Sequence, residues 1–344
     1  VRIEKACKLL AEKRIDALLI EDPSDVFYLT GQWCSVARLI LKPDRAVLLV
    51  DGRYFESAKE NAPCEVALSE KEALKKFLAR AKRVGFDSAF VTVEKAAGLE
   101  KSAPNKEWVP LPKPLKTLRL CKDEQEIALL KRAAKVTAEG YLHVLKELKE
   151  GIEEQELALS FEIHCRQHGA SKFSFESIVA CGENSAFPHY RAGRTRVKKN
   201  QAVLFDLGAV VEQYRGDMTR VFFFGQPTKE MERLYGLVKQ AHDLAAASIR
   251  PGTRLGDLDR LVRAFFAKEG VDQLFPHSLG HGVGIDVHEP PLVREDSDDK
   301  DMILKPGMVF TIEPGLYLPG VGGARYENTW AVTENGAENF YAAL

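Results

Sequence analysis

VLFDLGAVVEQYRGDMTRVFFF, residues 203–224, is a run of β-branched and aromatic residues that carries two aspartates, Asp206 and Asp217. The apolar flanks read as buried strands. The aspartates stand 11 residues apart, with the midpoint at Val211–Glu212. A tight hairpin there puts both side chains on neighbouring strands and on one face. Gly208 and Gly216 would absorb bulges. An ionised carboxylate in such a core is costly unless it is paired or metal-bound. For a single aspartate, Arg215 or Arg220 would suffice as an ion-pair partner.

The pattern recurs further along. Glu313 sits in MVFTIEPGLY and Glu327 in GGARYENTWAV, each again inside a strand-like run. His281 stands in HSLGHGVGIDVHEPP. Four converging carboxylates repel one another and raise their own pKa values. Two divalent cations would remove that problem, because their charge equals that of the four carboxylates. Carboxylates with one imidazole and no thiolate suit Mn2+ or Co2+, and remain compatible with Zn2+ or Fe2+. The ligand type excludes a thiolate-rich structural zinc site.

Working outward, the chain repeats itself. Residues 149–157, KEGIEEQEL, match residues 250–258, RPGTRLGDL, at an offset of 101. The same offset maps Gly169 onto Gly270, each placed as a helix C-cap glycine. Each half reads helix, helix, then two strands. The first has helices at 123–149 and 153–168, and the second at 229–249 and 255–268. Each half therefore supplies one carboxylate pair, and a pseudo-two-fold arrangement brings the pairs face to face.

The first third alternates short strands (17–20, 46–50, 65–68) with helices (2–13, 53–61, 70–82), which implies a small α/β domain. SAPNKEWVPLPKPLKTL, with four prolines between 104 and 114, reads as an extended linker. The expected domains are residues 1–115 and 116–344. The length, 344 residues, suits two domains.

A net charge of −1 gives no global basic field for nucleic acid or anionic membrane. The basic stretch 191–200 reads as a solvated loop. No apolar run approaches a membrane span, and charges interrupt the N-terminal helix too often for a signal peptide. Six cysteines without a CxxC pair read as reduced thiols of a cytoplasmic protein. GHGVG lacks the spacing of a phosphate loop, so its small residues read as letting backbone pass close to the cluster.

The motifs DLG…GDMTR, HSLGHGVGIDVHEPP, TIEPGLY and GGARYEN resemble the pita-bread metallopeptidases, which include aminopeptidase P, prolidase and methionine aminopeptidase. KDEQEIALLKRAA resembles the start of that catalytic domain. The resemblance covers essentially the whole chain. It implies an α+β fold: a C-terminal pita-bread domain with a pseudo-two-fold helix–helix–hairpin repeat, after a small α/β domain of the aminopeptidase P and prolidase branch. Methionine aminopeptidase lacks that first domain, and creatinase lacks the metal ligands.

By this resemblance, Asp206 and Asp217 ligate one metal, with Asp217 bridging. His281 completes the shell of the other, Glu313 binds one, and Glu327 bridges. The resemblance further implies a metal-bridged hydroxide that attacks the Xaa–Pro carbonyl, with Glu313 moving the proton. His288 would contact the carbonyl oxygen, His189 the substrate backbone, and His277 the pocket wall. Arg325, two residues before Glu327, shares its face in a strand and would help hold the cluster. Tyr317 would line the site or be a buried aromatic. His143, His164, His168 and His242 lie on expected helices and read as structural. One departure from the family is Asn328, where aspartate usually follows the last ligand; it puts an outer hydrogen bond in question.

The activity so implied is hydrolysis before a proline at the second position of a peptide. The leaning is to Xaa-Pro aminopeptidase, with Xaa-Pro dipeptidase (prolidase) as the alternative. Family analogy adds a homodimer. A non-catalytic binding protein on the same fold is the rival reading, disfavoured because all five ligands stand.

Overall fold

The computed structural model describes residues 2–344, which divide into two compact units with the boundary between Arg119 and Leu120. Among the described residues no helix is long and apolar enough to cross a membrane.

The first unit begins with α1 (Arg2–Lys13), β1 (Ala17–Ile20), α2 (Pro23–Thr30), β2 (Ala37–Leu41) and β3 (Ala46–Val50). It continues with α3 (Phe55–Asn61), β4 (Glu65–Leu68), α4 (Ala73–Phe77), β5 (Arg83–Asp87), α5 (Val93–Ser102) and β6 (Glu107–Leu111). The six strands form one mixed sheet in the order β4-β3-β2-β1-β5-β6. β1 and β3 are buried along their whole length, so they read as continuous apolar runs. Two expectations fail here. The helix expected over 70–82 shrinks to Ala73–Phe77. The expected linker contains β6, which runs parallel to β5 with Pro110 opposite Phe86. A proline lacks the N–H of a central strand, but β6 is the sheet edge, where that donor is dispensable. The short helix α6 (Lys116–Leu120) follows.

The second unit opens with α7 (Glu124–Glu147) and α8 (Glu154–Gln167). α7 starts on a capping box, Asp123 with Glu126. Then come β7 (Lys172–Phe173), β8 (Ile178–Cys181), β9 (Gln201–Leu207), β10 (Ala209–Val211), β11 (Tyr214–Arg215) and β12 (Met218–Phe224). The second half has α9 (Lys229–Ala246), α10 (Leu255–Lys268), β13 (Gly280–Gly282), β14 (Glu289–Val293) and β15 (Val309–Ile312). It ends with β16 (Gly315–Leu318), β17 (Gly322–Arg325), β18 (Asn328–Val332) and β19 (Ala337–Asn339).

The internal repeat is visible bond by bond. Gly151 N–H donates to Val197 O at 2.8 Å, and Gly252 N–H to Leu304 O at 3.0 Å. Glu154 N–H donates to Thr195 O, as Leu255 N–H does to Met302 O. Glu153 bridges Arg196, as Arg254 bridges Ile303. Gly169 and Gly270 both carry positive φ, +99° and +69°, just past their helices. Two cores form in this unit, and the second also takes in Leu204 and Val221 from the first half. Leu157 and Phe161 of α8 pack with Val203 and Phe205 of β9. Val262 and Phe266 of α10 pack with Phe310 and Ile312 of β15.

The hairpin that decides the fold is broken in two. β9 pairs with β12 and β8; β10 pairs with β11 and β7. Gly208 and Gly216 mark the break, because a Cβ on Gly208 would overlap the carbonyl of Gly216. The turn falls at Glu212 and Gln213, one residue later than the midpoint suggests. Both have positive φ, 48° and 71°, as a two-residue hairpin with native twist requires.

Candidate metal centre

Asp206 lies on β9 opposite Thr219, and Asp217 lies just before the first pair of that ladder, Leu207–Met218. The two carboxylates are therefore diagonal neighbours on one face. Glu313 follows β15 and Glu327 precedes β18, directly beyond the pair Ile312–Asn328. His281 is on β13, which pairs with β15. Two strand pairs, one from each half, thus aim four carboxylates at one imidazole. Glu327 N–H donates to Thr219 O at 3.2 Å and ties the two pairs together.

Ligand atoms of Asp217, His281 and Glu327 all lie within 4.8 Å of one another. His281 Nε2 is 3.2 Å from Glu313 Oε1 and 3.6 Å from Asp217 Oδ2. His281 Nδ1 lies 3.1 Å from Gly282 O, to which it donates, so Nε2 faces the carboxylates. Arg325 Nη2 donates to Asp206 Oδ2, and its Nη1 to the Tyr317 hydroxyl at 2.6 Å. Asp206 Oδ1 is buried and has no partner. An orphaned carboxylate oxygen beside a cluster of carboxylates and one imidazole is what a divalent cation would satisfy. The donor set fits hard to borderline ions.

The electrostatics agree. Burial pushes Asp217 well above the ordinary carboxylate range, reinforced by Glu327, Asp206 and Glu313. Asp206 is raised by burial despite the Arg325 guanidinium. Glu327 rises to about 8 through burial and through Glu313. Burial alone would raise Glu313 and lower His281, but their mutual hydrogen bond outweighs it. Glu313 is therefore held down and His281 raised to about 9. Without metal the cluster has to take up protons.

The other expected residues divide. His288 packs edge-on against His281, ring centres 4.3 Å apart, and burial lowers its pKa. Its loop is held by Arg215, which donates to Ile285 O and Ser174 O, and by Glu289, which accepts from Asp286 N–H and pairs with the buried Lys122. Nδ1 of His277 donates to Ser278 O, so its Nε2, 2.9 Å from the Tyr317 hydroxyl, accepts from it. Both its nitrogens are engaged, and burial lowers its pKa. Tyr317 is buried and links Arg325 to His277. His189 is exposed and lies within electrostatic reach of both His277 and His288. His143, His164 and His168 form a stack along α7 and α8, with centres 4.4 and 4.0 Å apart.

Neither Arg215 nor Arg220 serves as the ion-pair partner that one aspartate would need. Arg220 is buried over Tyr326 and donates to Thr219 O, Glu327 O and Asn328 Oδ1. Asn328 then turns Nδ2 toward His242 Nε2 at 3.0 Å. The amide thus fills the outer hydrogen-bonding place with one acceptor and one donor. Two threonines escaped the sequence reading. Thr219 Oγ1 donates to Glu327 Oε2 at 2.7 Å and accepts from Arg325 Nε. Thr311 Oγ1 accepts from His281 N–H. Each stands two residues from a candidate ligand, and that spacing is the signal that could have found them.

Fold and site together define a metallopeptidase of the pita-bread type. Residues 128–334 match Metallopeptidase family M24, and residues 2–121 match the Creatinase/Prolidase N-terminal domain. The chain belongs to the M24 metallopeptidases, a family of metal-dependent hydrolases, in the branch of aminopeptidase P and prolidase. It is 32% identical over 339 residues to a Xaa-Pro dipeptidase of Pyrococcus furiosus, covering 98% of this chain and 96% of that one. The solved prolidase of Pyrococcus horikoshii superposes with a TM-score of 0.94 at 32% identity, over 98% and 97% of the two chains. An X-Pro aminopeptidase of Thermotoga maritima superposes with a TM-score of 0.90 at 30% identity, over 98% and 96%.

Proposed function

We propose that this protein is a Xaa-Pro dipeptidase that uses two divalent cations. The sequence alone leans to the aminopeptidase. The relatives named Xaa-Pro dipeptidase or prolidase, matched along nearly their whole length, move the reading to the alternative. The observation that carries the metal-dependent chemistry is the cluster of Asp206, Asp217, Glu327 and His281, all buried, with the half-buried Glu313 and an orphaned Asp206 oxygen.

Asp206, Asp217, His281, Glu313 and Glu327 would hold the ions. Bound ions would acidify a water toward a pKa of about 7 and polarise the scissile carbonyl. Glu313 then takes the proton of the attacking water and delivers it to the proline nitrogen. His288, neutral at pH 7 because burial lowers its pKa, donates one N–H to the carbonyl oxygen as charge develops there. Arg325 holds Asp206 in place through its hydrogen bond and opposes the effect of burial on that carboxylate. His189 meets the substrate backbone, and His277 with Tyr317 forms a fixed wall.

The test compares Gly-Pro with a longer Xaa-Pro-Xaa peptide on manganese-loaded protein. Cleavage of Gly-Pro alone is expected. Preference for the longer peptide would return the assignment to the aminopeptidase. Undiminished turnover in verified metal-free protein would sink both.

A further inference from the structure

Glu154, the first residue of α8, is fully buried. Its carboxylate is surrounded by uncharged donors. Cys181 N–H and Asn184 Nδ2 reach Oε1 at 2.7 and 2.9 Å. The Tyr190 hydroxyl and Gly193 N–H reach Oε2 at 2.8 and 3.3 Å. All four donors come from one segment, residues 181–193, and His189 lies within it.

The other half of the repeat shows what the scaffold itself needs at this place. The residue equivalent to Glu154 is Leu255, also fully buried, with the same backbone hydrogen bond to the following segment. The fold therefore requires a buried side chain here but no charge. A carboxylate buried among neutral groups is costly unless its hydrogen bonds are all made. That cost is incurred in one half only, the half that carries His189.

The held segment also touches β17, the strand that carries Arg325. Ser185 Oγ accepts from Gly323 N–H at 2.8 Å. A Cβ on Gly323 would overlap Ser185 O, so the approach depends on that glycine. Arg325, the partner of Asp206, is two residues further along the same strand.

We propose that Glu154 is a positioning residue that fixes the segment 181–193 and so presents His189 to the substrate. This rests on the reading of His189 as a substrate contact. The test uses Glu154→Leu, which installs the side chain of the other half, and Glu154→Gln, which keeps the shape and loses one acceptor. Both are assayed as manganese-loaded enzyme on Gly-Pro, and both are exposed to trypsin, whose sites Arg191, within the segment, and Arg194, just after it, are exposed.

Expected are faster cleavage in the segment and a KM raised about a hundredfold for Leu and about tenfold for Gln. Metal content stays as in the parent, and kcat changes by about threefold or less. A folded Glu154→Gln protein with parental trypsin resistance and parental KM overturns the proposal, whether or not the Leu variant folds. His189→Ala is measured alongside. Should it keep the parental KM while the Glu154 variants are cleaved faster, the substrate reading of His189 fails and the holding role of Glu154 stands.

Discussion

Both units contain acidic residues gathered around one arginine, yet the two clusters are chemically different. In the first unit, Asp22, Asp25 and Asp87 lie together. Asp22 caps α2 by accepting from Ser24 N–H. Asp87 accepts from Ala89 and Lys113 N–H groups, and Asp25 pairs with Arg119 at 2.7 Å. Ordinary backbone and ion-pair chemistry accounts for each of them. In the second unit, Arg325 pairs with Asp206 alone, and one oxygen of that same carboxylate stays buried without a partner. Proximity of acids says little by itself. The informative quantity is the charge left over once caps, turns and arginines have been subtracted.

The largest expected effect breaks this contrast most directly. Asp217→Ala should lose bound manganese and nearly all turnover, whereas Asp25→Asn should weaken folding but leave metal content and kcat alone. Metal analysis of both variants checks this; two ions retained by Asp217→Ala at normal rate would remove its bridging role. Next comes His288→Ala. Its kcat should fall on the order of 10²–10³-fold with both ions kept. A tenfold or smaller change confined to KM would assign His288 to binding, and loss of metal would put it inside the ligand shell.

The smallest effect concerns the metal-free protein. Asp206, Asp217, Glu327 and His281 all have folded pKa values above their ordinary ones. His277 and His288, lowered by burial, oppose this only while unfolded histidine still titrates, so between about pH 7 and 9 the folded state binds more protons than the unfolded state and stability falls as pH rises. Glu313 works the other way, but its contribution is already complete above about pH 5. The Tm of metal-free protein should drop across this range, and added manganese should stabilise most at its upper end. A Tm that climbs steadily from pH 7 to 9 without metal would contradict the electrostatic account.

The candidate ligands Asp206, Asp217, Glu313 and Glu327 were legible because each is an acid set in an apolar, strand-like run. β1, β3 and β4 were legible as short apolar runs. β6 was not, because its proline suits a linker equally well and only the sheet edge makes it a strand. Thr219 and Thr311 were hidden because threonine is ordinary in strands. Glu154 was hidden for a different reason. An acid in the first helical turn favours the helix dipole anyway, so nothing local distinguishes a solvated one from one enclosed by a loop 30 residues away. Asn328 was visible as a departure, but its partners, Arg220 and His242, come from elements remote in sequence.

The break at Gly208 and Gly216 has a practical side. It separates the tip of the hairpin, Glu212 and Gln213, from the inner ladder that sets the spacing of Asp206 and Asp217. The tip belongs to the sheet of β7, β10 and β11, and its Glu212 meets Arg132 in a solvent-exposed ion pair. The ladder of seven residue pairs below it is registered independently against β8. The tip is thus a natural port for grafting, where a fluorophore or an affinity loop adds length without moving either aspartate.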